Sequence, residues 1–149
     1  MEKVVLDTNV FVSSLLSKTG ATARVLDRWR AGRYLLVTSP WILEEIKATL
    51  QAPRIRAKYS VSSKDLAQLV ELLAHEALIV PGESDVRGGV PADPDDERVL
   101  ACAVDTGASI IVTGDGHLLD LGQFRGISIL GVRGFLDRLE RPLDAANQP

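Results

Sequence analysis

The chain has 149 residues, of which 46% are hydrophobic and 25% charged, as in one ordinary globular domain. No apolar run approaches the roughly 20 residues of a membrane-spanning helix, and residues 1–3 lead directly into a strand-like segment, so we expect a cytosolic protein. The net charge of −3 gives no overall attraction to nucleic acid, although residues 1–60 are basic and residues 61–149 are acidic. The single cysteine, Cys102, excludes an internal disulfide, and two scattered histidines give no zinc-binding pattern.

The first sixty residues alternate short apolar strands with helical segments. Strands are predicted at residues 4–6 and 34–37, where β-branched and apolar residues are continuous. Helices are predicted from Val10 to about Leu16, from Ala23 to Ala31 after an N-cap at Thr22, and from Pro40 to about Gln51 after the N-cap Ser39. Residues 53–59 are interpreted as a basic connector.

The rest of the chain continues the alternation. A helix is predicted from Ser62 or Ser63 to Glu76, and strands are predicted at residues 78–80, 110–112 and 127–130. After a loop at residues 81–91, a helix capped by Asp93 runs to Thr106, and a last helix lies around residues 135–139. We therefore predict one domain, residues 1–141, with a disordered tail at residues 142–149.

Short apolar strands alternating with amphipathic helices are typical of a parallel sheet that is covered on both faces. The predicted fold is thus an α/β protein, a three-layer α/β/α sandwich around a central parallel sheet of about five strands. Ligands of such folds bind beyond the carboxyl ends of the strands. Asp7 ends the first strand and Asp115 follows the fourth, so both are predicted at that edge, although either alone could be an ordinary turn residue.

Helical phase separates two adjacent glutamates in the helix after the second strand. At about 100° per residue, Ile42 and Ile46 define the buried face, Glu45 lies on its flank, and Glu44 lies on the outer face. Glu45 is therefore the better inward candidate.

The acidic cluster at residues 93–96 contains one residue that helix capping does not explain. Asp93 is the expected N-cap, and Asp95 is favoured in a first helical turn by the helix dipole. Asp96 instead falls in the middle of the apolar face formed by Val99 and Leu100, so its carboxylate is predicted to point at the sheet. An inward carboxylate is costly unless it is paired or binds a metal.

Four carboxylates thus follow four different strands and are expected at one edge of the sheet: Asp7, Glu45, Asp96 and Asp115. Like charges at close range repel one another, so such a cluster persists mainly when a cation neutralises it. Oxygen ligands favour Mg²⁺ or Mn²⁺ over zinc. The sequence therefore predicts a divalent metal site capable of phosphodiester chemistry.

Four stretches of the chain resemble, in order, the PIN-domain ribonucleases, and particularly the toxin components of bacterial type II toxin–antitoxin systems. The stretches are Val5–Val10, Ser39–Ile46, Asp93–Ala101 and Ile111–Leu119. Each is weak alone, but their order and their agreement with the predicted strands and helices make a strong joint signal. The resemblance extends from Val4 to about Leu136.

The resemblance implies an active site formed by the four acids, which match the metal-binding positions of the family. It implies supporting polar roles for Thr8, Asn9 and Thr113 and assigns His117 a hydrogen-bonding role at a helix start rather than a catalytic one. The implied reaction is Mg²⁺- or Mn²⁺-dependent hydrolysis of RNA, leaving a 5′-phosphate and a 3′-hydroxyl. The implied partners are an antitoxin protein and a second copy in a homodimer.

The basic half of the chain supplies candidates for phosphate binding. Arg54, Arg56 and Lys58 are hypothesised to guide RNA toward the carboxylates, against the alternative of a solvated loop. Without the four acids assigned to the metal site, the formal charge of −3 becomes +1, so mild acidity does not exclude an RNA substrate.

Two other classes of function remain open from the sequence. Asp7 after the first strand also suggests a haloacid-dehalogenase-like phosphatase with Asp7 as nucleophile. That family has an aspartate two residues later, where this chain has Asn9. The second alternative is a metal- or partner-binding module without turnover, against which the presence of all four acids argues.

Overall fold

The computed structural model describes residues 1–87 and 94–141; the predicted cap Asp93, the end of the preceding loop and the tail at residues 142–149 lie outside them. The strands are β1 (Lys3–Leu6), β2 (Leu35–Thr38), β3 (Leu78–Ile79), β4 (Ile110–Val112), β5 (Gln123–Phe124) and β6 (Ile127–Leu130). The helices are α1 (Thr8–Leu16), α2 (Ala21–Arg30), α3 (Pro40–Gln51), α4 (Pro53–Lys58), α5 (Ser63–Glu76), α6 (Pro94–Thr106), α7 (Gly116–Leu121) and α8 (Val132–Glu140).

The described strands form one mixed sheet in the order β3-β2-β1-β4-β6-β5, parallel except for β5. Helix α6 packs on β1, β2 and β4, while α1 packs against α2 and α3. This arrangement confirms the predicted three-layer α/β/α sandwich. The central strands β1 and β4 are nearly fully buried, as continuous apolar strands of a parallel sheet should be. In the described part of the chain, no helix has the length and apolar character needed to cross a bilayer.

The prediction of about five parallel strands is confirmed by β1, β2, β3, β4 and β6, and the sheet has a further, unpredicted strand at one edge, where β5 pairs antiparallel with β6. Gln123 faces Ser128 and Phe124 faces Ile127 across a two-residue turn. The turn residues Arg125 and Gly126 have φ angles of 49° and 82°, the positive values that tight hairpin turns require. Gly126 adopts its positive φ without steric strain because it has no Cβ atom. Strand β5 has only two residues, which is too short to show the alternating pattern that identifies a strand in a sequence.

Two local predictions are also corrected. Residues 53–58 form helix α4 rather than an unstructured connector, because the chain breaks at extended Ala52 and Pro53 then occupies the first helical turn. Thr22 does not cap α2, because the helix begins at Ala21, two residues before the predicted start, with Gly20 at the N-cap position. The Thr22 hydroxyl donates instead to the Ser13 hydroxyl at 3.1 Å, which ties α2 to α1.

The segment after β3 is tied to α6 by the Asp105 carboxylate. Asp105 accepts hydrogen bonds from the backbone N–H groups of Gly82, Glu83 and Ser84 and from the Ser84 hydroxyl. Gly82 has a φ of +70°, and an added Cβ there would lie 3.1 Å from the Cβ of Ser39, the N-cap of α3. The Ser84 hydroxyl and these amides hold the pKa of Asp105 below its ordinary value. This carboxylate therefore ties the end of α6 to the segment after β3, which in turn packs closely against the N-cap of α3.

We expect Asp105→Asn to lower the free energy of unfolding at pH 7 by about 1–3 kcal/mol, because charge-assisted hydrogen bonds are lost. A lowered folded-state pKa adds stability above the ordinary value of 3.8 and loses it as pH falls through the lowered value. Urea unfolding at pH 7 and pH 3 should thus show a difference between variant and parent that shrinks in acid. The exposed Asp120→Asn is the control, and a pH-independent difference would contradict the assignment.

Candidate metal centre

The pairing of β1 with β4 brings Asp7 beside Thr113. Leu6 pairs with Val112, and each of the next residues begins the loop beyond its strand. The buried Thr113 hydroxyl donates to Asp7 Oδ2 at 2.7 Å, and the Thr8 backbone N–H donates to Asp7 Oδ1 at 2.7 Å. These bonds fix the orientation of a carboxylate that is only 7% exposed.

Asn9 and Thr8 complete the surroundings of Asp7. The Asn9 amide Nδ2 donates to Asp7 Oδ2 at 3.4 Å, and its Oδ1 accepts from the Gly114 N–H at 3.3 Å. Asn9, in the first turn of α1, thereby links the start of this helix to the loop after β4. The Thr8 hydroxyl is buried and has no hydrogen-bond partner in the part of the chain that the structure describes. The three residues predicted as supporting groups are thus all found around Asp7.

Asp115 is held by the start of helix α7. Its Oδ1 accepts from the backbone N–H groups of His117 and Leu118 at 2.8 and 3.2 Å, and its own N–H donates to the Thr113 hydroxyl at 2.9 Å. Thr113 therefore orients Asp7 through its hydroxyl proton and Asp115 through its hydroxyl oxygen. The same hydroxyl couples the positions of two of the four predicted acids.

Asp96 points inward, as its helical phase predicts, and is 5% exposed, whereas Asp95 is exposed. Ligand atoms of Asp96, Asp115 and His117 all lie within 4.8 Å of one another. His117 is itself exposed, and its Nδ1 lies 3.7 Å from Asp115 Oδ1. Within the described residues, these three candidate ligands thus join the first turn of α6 to the start of α7.

Glu45 and not Glu44 lies at the cleft, as the phase of α3 predicts. Glu45 is half-buried, whereas Glu44 is exposed and its Oε1 lies 3.0 Å from Lys47 Nζ. Trp41 and Thr49 lie one turn before and one turn after Glu45 and also line the cleft. One face of α3 therefore forms a wall of the candidate site.

All four predicted acids line one cleft of about 440 Å³ at the carboxyl edge of the sheet. It is lined by Asp7, Thr8, Asn9, Val12, Trp41, Glu45, Thr49, Arg54, Asp95, Asp96 and Asp115. Several carboxylates in one concave site repel one another, and a bound cation relieves that repulsion. The oxygen-rich donor set and the unsatisfied Thr8 hydroxyl fit a hard divalent cation such as Mg²⁺ or Mn²⁺.

The three basic residues predicted to guide a substrate are separated by the structure. Arg54 lines the acidic cleft. Arg56 lines a different groove of about 410 Å³ between α3, α4 and α5, and the Lys58 ammonium lies 5.5 Å from the centre of the Tyr59 ring. Only Arg54 of these three is brought to the carboxylates.

Sequence reasoning missed two side chains of the site. The His117 ring was interpreted only as a helix-start group, although it lies two residues after Asp115 and joins the candidate ligands. Trp41 also lines the cleft, and its spacing of four residues from Glu45, which places both on one face of α3, is the sequence signal for it. Cys102, by contrast, is buried away from this chemistry, and burial raises the pKa of its thiol to about 12.

Comparisons with known proteins agree with this architecture. A family model described as a PIN domain matches residues 3–117. An uncharacterized protein of Methanocaldococcus jannaschii is 32% identical over 119 residues, which make up 80% of this chain and 74% of that protein.

Two solved structures share the fold. One is VapBC2 from Rickettsia felis bound to a DNA fragment from their promoter, with a TM-score of 0.60 and 13% identity over 87% of this chain and 98% of that one. The other is DNA-bound VapBC from Salmonella typhimurium, with a TM-score of 0.58 and 19% identity over 89% and 99% of the two chains.

The mostly parallel sheet and the acidic cleft at its carboxyl edge define an α/β protein with a candidate hydrolase site. The match over residues 3–117 makes the assignment specific. The chain belongs to the PIN domain family, a family of nucleases.

Proposed function

We propose that this protein is a divalent metal-dependent endoribonuclease and the toxin of a toxin–antitoxin pair. The observation that carries the proposal is the convergence of Asp7, Glu45, Asp96 and Asp115, from four separate segments, on one cleft. Membership of a nuclease family and the VapBC neighbours support the same function.

The four acids are proposed to hold the metal, with the His117 ring as a further candidate ligand beside Asp96 and Asp115. When bound, Mg²⁺ or Mn²⁺ polarises a phosphodiester and lowers the pKa of coordinated water. The Thr113 hydroxyl and the Thr8 N–H keep both Asp7 oxygens in fixed positions, so the ligand is oriented before the metal arrives. The Arg54 guanidinium supplies positive charge for the phosphate backbone at the same cleft.

The toxin assignment brings a partner with it. Both solved neighbours are VapBC complexes, and we propose that this chain likewise binds an antitoxin protein and forms a homodimer. We also propose that it acts in the cytoplasm, where its RNA substrate is found.

The phosphatase alternative is less well supported by the site. A phosphatase that used Asp7 as nucleophile would need an acid or base close to it. Asn9 holds the position two residues later, and its amide donates to Asp7 Oδ2 rather than exchanging a proton. A trap for an aspartyl-phosphate should therefore find none.

Expression of the chain alone in a bacterial host tests the proposed function. We expect growth arrest with loss of RNA for the parent chain and normal growth for Asp7→Asn, at equal amounts of folded protein. Asp7→Asn keeps the size of the side chain and one acceptor oxygen for the Thr8 N–H but removes the charge, and circular dichroism of the purified variant verifies that it is folded. Growth arrest by both chains, or by neither, would contradict the proposal.

A further inference from the structure

The face of α3 that lines the acidic cleft carries more than its glutamate. Trp41, Glu45 and Thr49 are spaced by four residues and therefore form one stripe along the helix. At about 1.5 Å per residue, the stripe is about 12 Å long. Arg54, on the following helix α4, also lines the cleft. Glu45 thus has an aromatic residue before it and a cation after it in the same wall.

Trp41 is placed in a way that core packing alone does not require. It lies in the first turn of α3, half-buried, and packs partly against the hydrophobic core. The buried face of the same helix is already formed by Ile42, Ile46 and Leu50. The remaining surface of the indole lines the cleft that holds the carboxylates. The stripe therefore presents an aromatic surface next to a candidate metal ligand.

We propose that this wall, from Trp41 to Arg54, is a binding track for single-stranded RNA. The Trp41 indole stacks on an unpaired base beside the reacting phosphate, and the Arg54 guanidinium binds a backbone phosphate beyond Glu45. The inference rests on the proposed ribonuclease function and adds two substrate-binding residues to it; stacking on the indole requires a base that is not paired within a duplex.

The proposal answers an electrostatic difficulty of the site. A cleft lined by carboxylates repels a polyanion until a cation is bound, so binding needs further contributions. Stacking on an aromatic ring is insensitive to charge and tolerant of base identity. A guanidinium binds phosphate through paired N–H groups. Trp41 and Arg54 supply one interaction of each kind.

Fluorescence provides a direct test, because the chain has two tryptophans and Trp29 is buried in α2. Trp29→Phe leaves Trp41 as the sole indole, and Asp7→Asn prevents cleavage during the titration. We expect a short single-stranded RNA to quench the Trp41 emission of this double variant, whereas the same RNA in a duplex should not. With Trp41→Phe in place of Trp29→Phe, the remaining indole should not respond.

The affinity for single-stranded RNA and its dependence on salt concentration separate the stacking role of Trp41 from the phosphate-binding role of Arg54. In the Asp7→Asn background, Trp41→Leu should weaken binding by about 5- to 150-fold without changing the slope of affinity against salt. Trp41→Phe should keep most of the affinity. Arg54→Ala should reduce the salt slope by about 0.7, the value of one phosphate contact on a single strand. Tyr59→Leu and Arg30→Ala are the matched controls outside the cleft.

The outcomes distinguish this inference from the proposed function. Cleavage of the same RNA by the parent chain is measured in parallel, so failure of the ribonuclease function appears as uncut RNA. Failure of the track appears as equal binding by the parent and Trp41→Leu, as an unquenched Trp41, or as no binding at all. Thermal unfolding checks that Trp41→Leu is folded. If it is not, the RNA affinity of Trp41→Phe is compared with that of the parent instead.

Discussion

Asp96→Asn is expected to lower RNA cleavage by about a hundredfold or more, because it removes a charged ligand from the proposed metal site. The carboxylate is 5% exposed, and its ligand atom lies within 4.8 Å of those of Asp115 and His117. Its removal therefore weakens the attraction for the cation directly. The same change at the exposed neighbouring residue, Asp95→Asn, should have a much smaller effect. The comparison separates the loss of a carboxylate that faces the site from the loss of one negative charge on α6.

The same substitution should have an opposite effect on stability. Without metal, Asp96→Asn relieves repulsion within the carboxylate cluster, so its melting temperature should be higher than that of the parent. Added Mn²⁺ should stabilise the parent by mass action and the variant much less. Thermal unfolding with and without Mn²⁺ measures both effects. A variant that melts lower without metal and retains the full Mn²⁺ response would show that Asp96 is not a ligand.

Glu45→Gln and Glu44→Gln form the second pair with a large expected difference. Glu45 lines the cleft, whereas Glu44 is exposed and ion-paired with Lys47, although the two are adjacent in the sequence. We expect Glu45→Gln to lower cleavage by about tenfold to a hundredfold or more and Glu44→Gln to leave it near the parent value. The measurement is the initial rate of RNA cleavage across a Mn²⁺ titration.

Glu44→Gln controls for changes in helix propensity and net charge, since it makes the same chemical change as Glu45→Gln on the same helix. An apparent Mn²⁺ affinity that falls only for Glu45→Gln would assign the effect to metal binding. Equal activity of the two variants, or a larger loss for Glu44→Gln, would contradict the assignment of α3 to the site.

Helical phase made much of the candidate site predictable. A period of about 100° per residue separates Asp96 from Asp95 and Glu45 from Glu44, and the burial of the four residues follows it. The parallel sheet then explains why residues that follow different strands meet at one edge. These inferences needed only the sequence pattern and the general geometry of α/β folds.

Other parts depend on tertiary contacts that leave little local signal. The hairpin of β5 with β6 depends on two residues with positive φ, and α4 depends on a break at Ala52. The role of the Thr113 hydroxyl arises only when β1 and β4 pair, which brings Asp7 and Asp115 to the same group. The separation of Arg54 from Arg56 likewise requires the placement of α4 against α3.

The most direct test of the central claim is the cleavage of end-labelled single-stranded RNA by the purified chain in Mg²⁺. We predict cuts that leave a 5′-phosphate and a 3′-hydroxyl, persist when the 2′-hydroxyl at the cut site is replaced by hydrogen, disappear with EDTA, and slow by about a hundredfold or more with Asp96→Asn. Cleavage that survives EDTA, that proceeds at the parent rate in Asp96→Asn, or that requires the 2′-hydroxyl would contradict a metal centre built from these four acids.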